Sequence, residues 1–158
     1  MIRPYRTEDL AGIMDIGNRA WQPIYRMFND VYGEELLGVI SGDTRTCKGE
    51  QIRSHCAAHP EWTLVCEENG RVVGFVTFVL DPNRKIGTIG NNAVDPACGL
   101  KGKGQEMYQA ALRFFRDNGM LYASVRTGLD DAHAPARRAY ERAGFDIRHD
   151  DVTYYMKL

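Results

Sequence analysis

The sequence lacks the features that mark several classes of protein. Its 158 residues contain no apolar run of about 18, the length of a membrane-spanning helix, and the N-terminal residues carry no apolar run typical of a signal peptide. The four cysteines form no CxxC pair, which favours reduced thiols over a disulfide framework. Lysine and arginine total 20 against 21 aspartate and glutamate, so the basic excess of a nucleic-acid binder is absent. We therefore expect a cytoplasmic protein that binds neither nucleic acid nor a membrane.

The composition is that of an ordinary globular protein. Hydrophobic residues make up 44% and charged residues 26% of the chain. No internal repeat, low-complexity tract or Pro/Ser-rich linker interrupts it. A chain of this length forms one domain more readily than two, so residues 1–158 are predicted to form a single domain.

The hydrophobic spacing predicts helices first and then mostly strands. A helix begins after Thr7, which is followed by two acidic residues, and shorter helical patterns cover residues 34–40 and 45–59. Three strands joined by tight turns are predicted at residues 63–67, 72–80 and 86–94. A helix at 103–118, a strand at 121–126, a helix at 135–143 and a final hairpin of strands at 145–148 and 152–158 follow. This order indicates an α+β (mixed α/β) fold with a mostly antiparallel sheet.

A glycine-rich loop lies between the third strand and the long helix after it. Gly99, Gly102 and Gly104 alternate there with Lys101 and Lys103. Free backbone N–H groups at a helix N-terminus, with glycines that allow close approach, suit a phosphate or diphosphate. A Walker A loop is excluded because Gln105 stands where its lysine would be, and a Rossmann loop would not follow three antiparallel strands.

Two motifs resemble those of the GNAT acetyltransferase family. The loop Gly99-Leu100-Lys101-Gly102-Lys103-Gly104 is similar to the family's acetyl-CoA loop, Arg/Gln-x-x-Gly-x-Gly/Ala, with Gly99 in the Arg/Gln position. The segment from His133 to Phe145 is similar to the signature Asn-x-x-Ala-x-x-x-Tyr-x-x-x-Gly-Phe, with His133 in place of asparagine. The two motifs occur in the family's order, and the resemblance covers about residues 63–158.

The resemblance implies a GNAT fold, a twisted central sheet flanked by helices, and transfer of an acetyl group from acetyl-CoA to an amine in a ternary complex, without a metal. It makes Tyr140 the general acid that protonates the leaving thiolate, although a tyrosine there also suits the core. A backbone N–H near Val94 would contact the oxyanion. The implied cofactor contacts are Val94, Gly99, Leu100, Lys101, Gly102, Lys103, Gly104, Gln105, His133 and Ala136. The alternative is a catalytically weak GNAT-like module that binds CoA as a sensor or scaffold.

The sequence also offers candidate residues for the acceptor side. Trp21, Tyr25 and Phe28 would form an aromatic wall for a small-molecule or peptide amine, or would only pack the first helix on the sheet. Asn91 would orient the amine or a water. No carboxylate precedes the glycine loop on its strand, so the acceptor arrives neutral or loses its proton through water. The resemblance also allows a homodimer.

Overall fold

The computed structural model describes all residues, 1–158, as a five-stranded sheet with helices on both faces. The strands lie in the order β1-β2-β3-β4-β5, and every neighbouring pair is antiparallel except β4 and β5, which are parallel. The elements are β1 (Ile2–Pro4), α1 (Leu10–Ser41), α2 (Cys47–Ala58), β2 (Thr63–Glu68), β3 (Arg71–Asp81), β4 (Ile86–Val94), α3 (Lys103–Asp117), β5 (Tyr122–Val125) and α4 (Ala134–Ala143). The predicted α+β class and mostly antiparallel sheet are confirmed.

Each face of the sheet buries its own hydrophobic cluster. On one face Ile13 and Ile16 of α1 and Ile52 of α2 pack against Val65 and Phe75. On the other face α3 and α4 cover a larger cluster that includes Val76, Phe78, Met107, Phe115 and Tyr140. The helices therefore divide into an α1/α2 layer and an α3/α4 layer, and a site at an opening in the sheet is accessible to both.

Gly87 shows how closely α3 packs on the sheet. A Cβ atom there would lie 2.5 Å from the ring of Phe115, so only glycine fits at this position of β4. Burial of apolar side chains on this face stabilises the fold by roughly 25 cal/mol for each Å² removed from water. None of the helices contains an apolar stretch of the length that spans a bilayer.

The N-terminal region differs from the prediction in two respects. Ile2–Pro4 pairs with β2 as a short edge strand. The sequence does not predict this strand, because three residues ending in proline carry no strand pattern. The two predicted helical stretches at the start of the chain form one element, α1, interrupted at Gly33, whose φ of 76° is a left-handed value that glycine adopts readily.

The predicted C-terminal hairpin is wrong. Residues 145–158 form no strand, and β5 remains the edge of the sheet. No backbone hydrogen bond joins residues 146–158 to the free edge of β5 or to one another, so the segment has no ladder to stabilise it as a strand. Side-chain contacts hold it instead: Lys157 pairs with Glu35 of α1 at 2.9 Å, and Tyr155 meets the ring of Tyr32 edge-on at 5.5 Å.

Candidate active site

An opening in the sheet lies between β4 and β5. The two strands pair only as far as Ile89 and Val125, so residues 90–94 of β4 have no partner on that side. A bulge lies at the same place, because Asn92 pairs with Val76 while Ile89 pairs with Phe78, which leaves one extra residue in β4. The backbone beyond Ile89 is thus free to bind a ligand.

The backbone direction of β4 beyond the bulge follows from one hydrogen bond. The amide of Asp95 donates to the Val73 carbonyl of β3 at 2.8 Å. Since successive peptide groups of a strand point to opposite sides, the N–H of Val94 points away from β3 and into the opening. This is the amide that the family resemblance associates with the oxyanion.

A cleft of about 490 Å³ occupies this opening, a size that suits a small ligand. Residues of the α1/α2 layer form one half of it and residues of the α3/α4 layer form the other. The lining residues are Ala20, Trp21, Ile24, Lys48, Thr88, Ile89, Gly90, Asn91, Asn92, Ala93, Val94, Arg126, Thr127, His133, Ala136 and Tyr140. A more open depression at the start of α2 is lined almost entirely by polar side chains.

Tyr140 lines the cleft with its phenol held by a short chain of hydrogen bonds. Asn92 Nδ2 donates to Tyr140 Oη at 3.1 Å, and Tyr108 Oη donates to Asn92 Oδ1 at 2.8 Å. Burial raises the pKa of Tyr108, so its hydroxyl remains a donor at neutral pH. This pattern uses an acceptor lone pair of Tyr140 and leaves its own proton available. The Tyr140 ring also packs against that of Tyr108, with 5.1 Å between the ring centres, so Tyr140 belongs to the hydrophobic core as well as to the cleft.

Two glycines of the loop adopt left-handed backbone conformations. Gly99 and Gly102 have φ values of 67° and 82°, and a Cβ on either would meet no atom within 4 Å. No backbone carbonyl accepts a hydrogen bond from the amides of residues 103–105, the first turn of α3. Three free donors at a helix N-terminus fit the diphosphate of a coenzyme A molecule. Asp95 braces the loop, because its Oδ1 accepts from the Ala97 amide at 2.9 Å.

The two loop lysines differ in their surroundings. Lys103 Nζ pairs with Glu68 at 2.7 Å and with Glu106 at 3.0 Å, so its charge is already balanced. Lys101 is exposed and forms no ion pair, which leaves it the free cation of the loop. Leu100 is exposed at the loop tip, and the Gln105 side chain donates to the Ala139 carbonyl at 2.6 Å, joining α3 to α4.

His133 lies at the start of α4 with its ring oriented by an acid. Asp130 accepts from the His133 amide at 3.0 Å, and its carboxylate lies 2.7 Å from Nδ1. With the proton on Nδ1, the Nε2 atom is free to accept a hydrogen bond or a proton. Ala136 lines the cleft one helical turn before Tyr140 and leaves room there.

The predicted acceptor residues separate into two groups. Trp21 and Asn91 line the cleft. Tyr25 is buried outside it and accepts from Cys47 Sγ at 2.9 Å, and Phe28 stacks on Tyr32 at 5.4 Å. The first pair can therefore contact a ligand in the cleft, whereas Tyr25 packs α1 against α2.

Asn92 and Lys48 are polar cleft residues that were not among the predicted site residues. Lys48 is buried and donates to Asn91 Oδ1 at 3.0 Å. The two asparagines were visible as polar residues on an otherwise apolar strand, but no sequence signal connects Lys48 with them.

Comparison with known proteins finds relatives that are named as acetyltransferases. The chain is 33% identical to a mycothiol acetyltransferase of Segniliparus rotundus over 95 residues, which are 58% of this chain and 35% of that protein. It therefore spans about a third of the length of this relative. It is 26% identical to the uncharacterized N-acetyltransferase YhfO of Bacillus subtilis over 161 residues, which are 99% and 97% of the two chains.

Solved structures share the fold. The PaiA N-acetyltransferase of Thermoplasma acidophilum, in complex with coenzyme A, has a TM-score of 0.74 at 16% identity and covers 96% of this chain and 92% of its own. A GNAT family acetyltransferase of Brucella melitensis, in complex with acetyl-CoA, has a TM-score of 0.63 at 23% identity, with 98% and 95% covered. A sequence model of the acetyltransferase (GNAT) family matches residues 21–145. This chain belongs to that family.

Proposed function

We propose that the protein is an acetyl-CoA-dependent N-acetyltransferase that transfers the acetyl group directly to a primary amine within a ternary complex. The observation that carries the proposal is the placement of Tyr140, whose phenol lines the cleft at the opening between β4 and β5. Free amides at the start of α3 and the Val94 N–H provide the other groups that the reaction needs. The coenzyme A and acetyl-CoA complexes of fold neighbours support the choice of donor.

In this proposal the two substrates bind in opposite halves of the cleft, each formed by one layer of the fold. The first-turn amides of α3 and Lys101 would bind the diphosphate, and the unpaired edge of β4 would hold the pantetheine arm. When bound, acetyl-CoA supplies a thioester carbonyl for attack by the amine. The amine enters from the other half, where Trp21 and Asn91 line the cleft.

Stabilisation of the oxyanion and protonation of the leaving group each correspond to a group of this chain. The Val94 N–H donates to the carbonyl oxygen as negative charge develops on it. Tyr140 gives its proton to the departing sulfur, since Asn92 occupies only an acceptor position of the phenol. No carboxylate lines the cleft, so the proton of the amine leaves through water or through Nε2 of His133, unless the amine enters neutral.

A Tyr140→Phe variant tests the proposal. We expect it to bind acetyl-CoA in calorimetry as the wild type does, while its kcat for thiol release falls roughly 10²- to 10⁴-fold, the usual contribution of a general acid. Tyr25→Phe is the matched control, because it removes the hydroxyl of another buried tyrosine that lies outside the cleft.

The outcomes distinguish the two candidate functions. An unchanged kcat in Tyr140→Phe would remove the acid role. No binding of acetyl-CoA at high micromolar concentration would contradict the proposed function as a whole. Tight CoA binding with no thiol release from any amine would instead favour a sensor or scaffold.

A further inference from the structure

Lys48 is a buried cation without a counterion. Its residue is 8% exposed, and no carboxylate lies within ion-pair distance of its Nζ. The ammonium donates to Gln51 Oε1 at 2.7 Å and to Asn91 Oδ1 at 3.0 Å, both neutral amide oxygens. By contrast Lys103, another lysine with little exposure, pairs with two carboxylates. Buried charges are ordinarily paired, so Lys48 is an exception that calls for a ligand.

The ammonium of Lys48 has unused binding capacity on the cleft side. An ammonium group has three donor protons, and oxygen atoms accept two of those of Lys48. Its Nζ lies 4.5 Å from the centre of the Trp21 ring, and both side chains line the cleft. Burial lowers the pKa of Lys48 to about 8, and a bound anion would restore the charged form.

The lining of the cleft contains no carboxylate. Among its sixteen residues Lys48 is a cation that has no carboxylate partner. Two acids outside the lining pair with lining residues, Asp130 with His133 and Asp151 with Arg126, and so balance the charge there. A cationic acceptor would also find the Trp21 face occupied by the Lys48 ammonium. The unpaired Lys48 ammonium therefore makes the α1/α2 half of the cleft repel cations and attract anions.

Resting on the proposed function, we infer that the acceptor amine also carries an anionic group, a carboxylate or a phosphate, and that Lys48 binds this group. Lys48 belongs to α2, so the anion lies in the α1/α2 half and the cofactor loop in the other. Asn91, which accepts from Lys48, precedes Asn92, which donates to Tyr140. The anion is thus anchored on one side of β4, and the amine can extend through the opening toward Tyr140.

Matched acceptors test the inference. Phenylalanine is compared with phenylalaninamide and phenethylamine, and O-phosphoethanolamine with ethanolamine, by kcat/KM for thiol release. A charge-assisted hydrogen bond of this kind predicts that the anionic member of one pair is preferred roughly 10- to 100-fold, mostly through KM. The first set reports on a carboxylate and the second on a phosphate.

Variants of Lys48 assign the preference to this residue. Lys48→Met is expected to abolish it and Lys48→Arg to retain most of it, while Lys157→Met, which removes an exposed lysine elsewhere, leaves it unchanged. An equal rate for the charged and neutral members in the wild type, or a preference for the amines without the anion, would overturn the inference. A preference that persists in Lys48→Met would overturn it as well.

A measurement without turnover separates this inference from the proposed function. Labelling of Lys48 by acetic anhydride, followed by peptide mass spectrometry, is expected to fall when phenylalanine or O-phosphoethanolamine is present, because the anion shields the amine and keeps it protonated. The neutral analogues should not protect it. Absence of protection by both anionic probes contradicts the anion site even where neutral amines are acetylated. Protection without acetyl-CoA binding contradicts the acetyltransferase proposal alone.

Discussion

Replacing Gly102 by alanine isolates the contribution of one backbone conformation to the cofactor loop. Gly102 precedes α3 with φ 82° and ψ −11°, and a Cβ there would meet no atom within 4 Å. Alanine therefore introduces no clash, and its cost is that of a left-handed residue, about 1–2 kcal/mol. If the loop keeps its conformation, the free energy of unfolding falls by this amount. If the loop relaxes instead, the amides of residues 103–105 turn away from the position of the diphosphate. Part of the binding free energy of acetyl-CoA is then used to turn them back.

The two effects of Gly102→Ala share one source, so their sum is fixed. The loss of unfolding free energy and the loss of acetyl-CoA binding free energy should together reach about 1–2 kcal/mol. If binding carries all of it, the Kd rises roughly 5- to 30-fold. Urea unfolding gives the first quantity and calorimetry the second.

Gly38→Ala is the control for Gly102→Ala. Gly38 lies inside α1, where a Cβ would also meet open space but φ is not positive. We expect this variant to be more stable by about 0.4–1 kcal/mol with an unchanged Kd. A Gly102→Ala protein that matches the wild type in both stability and Kd would refute the assignment of the loop conformation.

Two further predictions concern the acceptor half of the cleft. Thr77→Val removes the buried hydroxyl that donates to the Asn91 carbonyl at 3.0 Å. We expect the free energy of unfolding in urea to fall by about 1–3 kcal/mol, and the KM for the amine to rise more than the KM for acetyl-CoA. An equal change in the two KM values would show that the bulge does not position Asn91. The folded pKa of Lys48, about 8, lies below its ordinary 10.5, so between these values the unfolded chain binds more protons and stability should rise with pH. Urea unfolding across this pH range should show this rise of the unfolding free energy in the wild type and not in Lys48→Met. If the two proteins show the same dependence on pH, the Lys48 ammonium is exposed to water and its pKa is not lowered.

The elements that sequence predicts well are those whose signal is local. The strands at β2, β3 and β4 and the helix α3 follow from hydrophobic spacing and from turns at Asn69-Gly70 and Gly119, whose φ values are 51°, 74° and 75°. The prediction of a C-terminal hairpin is wrong because the β-favouring side chains from Val152 to Met156 show only that the segment could form a strand. They do not show whether it pairs with the free edge of β5.

The site residues also differ in whether their signal in the sequence is local. Tyr140 and the glycine loop lie within short motifs, so the sequence contains their spacing directly. Lys48 lies 43 residues before Asn91, and its burial depends on how closely α2 packs on α1. Gly49 permits that approach, since a Cβ there would lie 2.7 Å from Asn18 Nδ2. Such a contact between distant segments has no periodic signature in the chain.

The adjacent asparagines of β4 show why the opening in the sheet matters for chemistry. Successive side chains of a strand point to opposite faces, so Asn91 reaches Lys48 in the α1/α2 layer and Asn92 reaches Tyr140 in the α3/α4 layer. In a fully paired sheet the strand would separate these two groups. Because β5 stops pairing at Ile89, both line one cleft. The end of the pairing thus brings Asn91, on the proposed acceptor side, and Asn92, which bonds to the proposed acid Tyr140, into the same cleft. Moving this end by one residue would change the distance between the two proposed substrate sites.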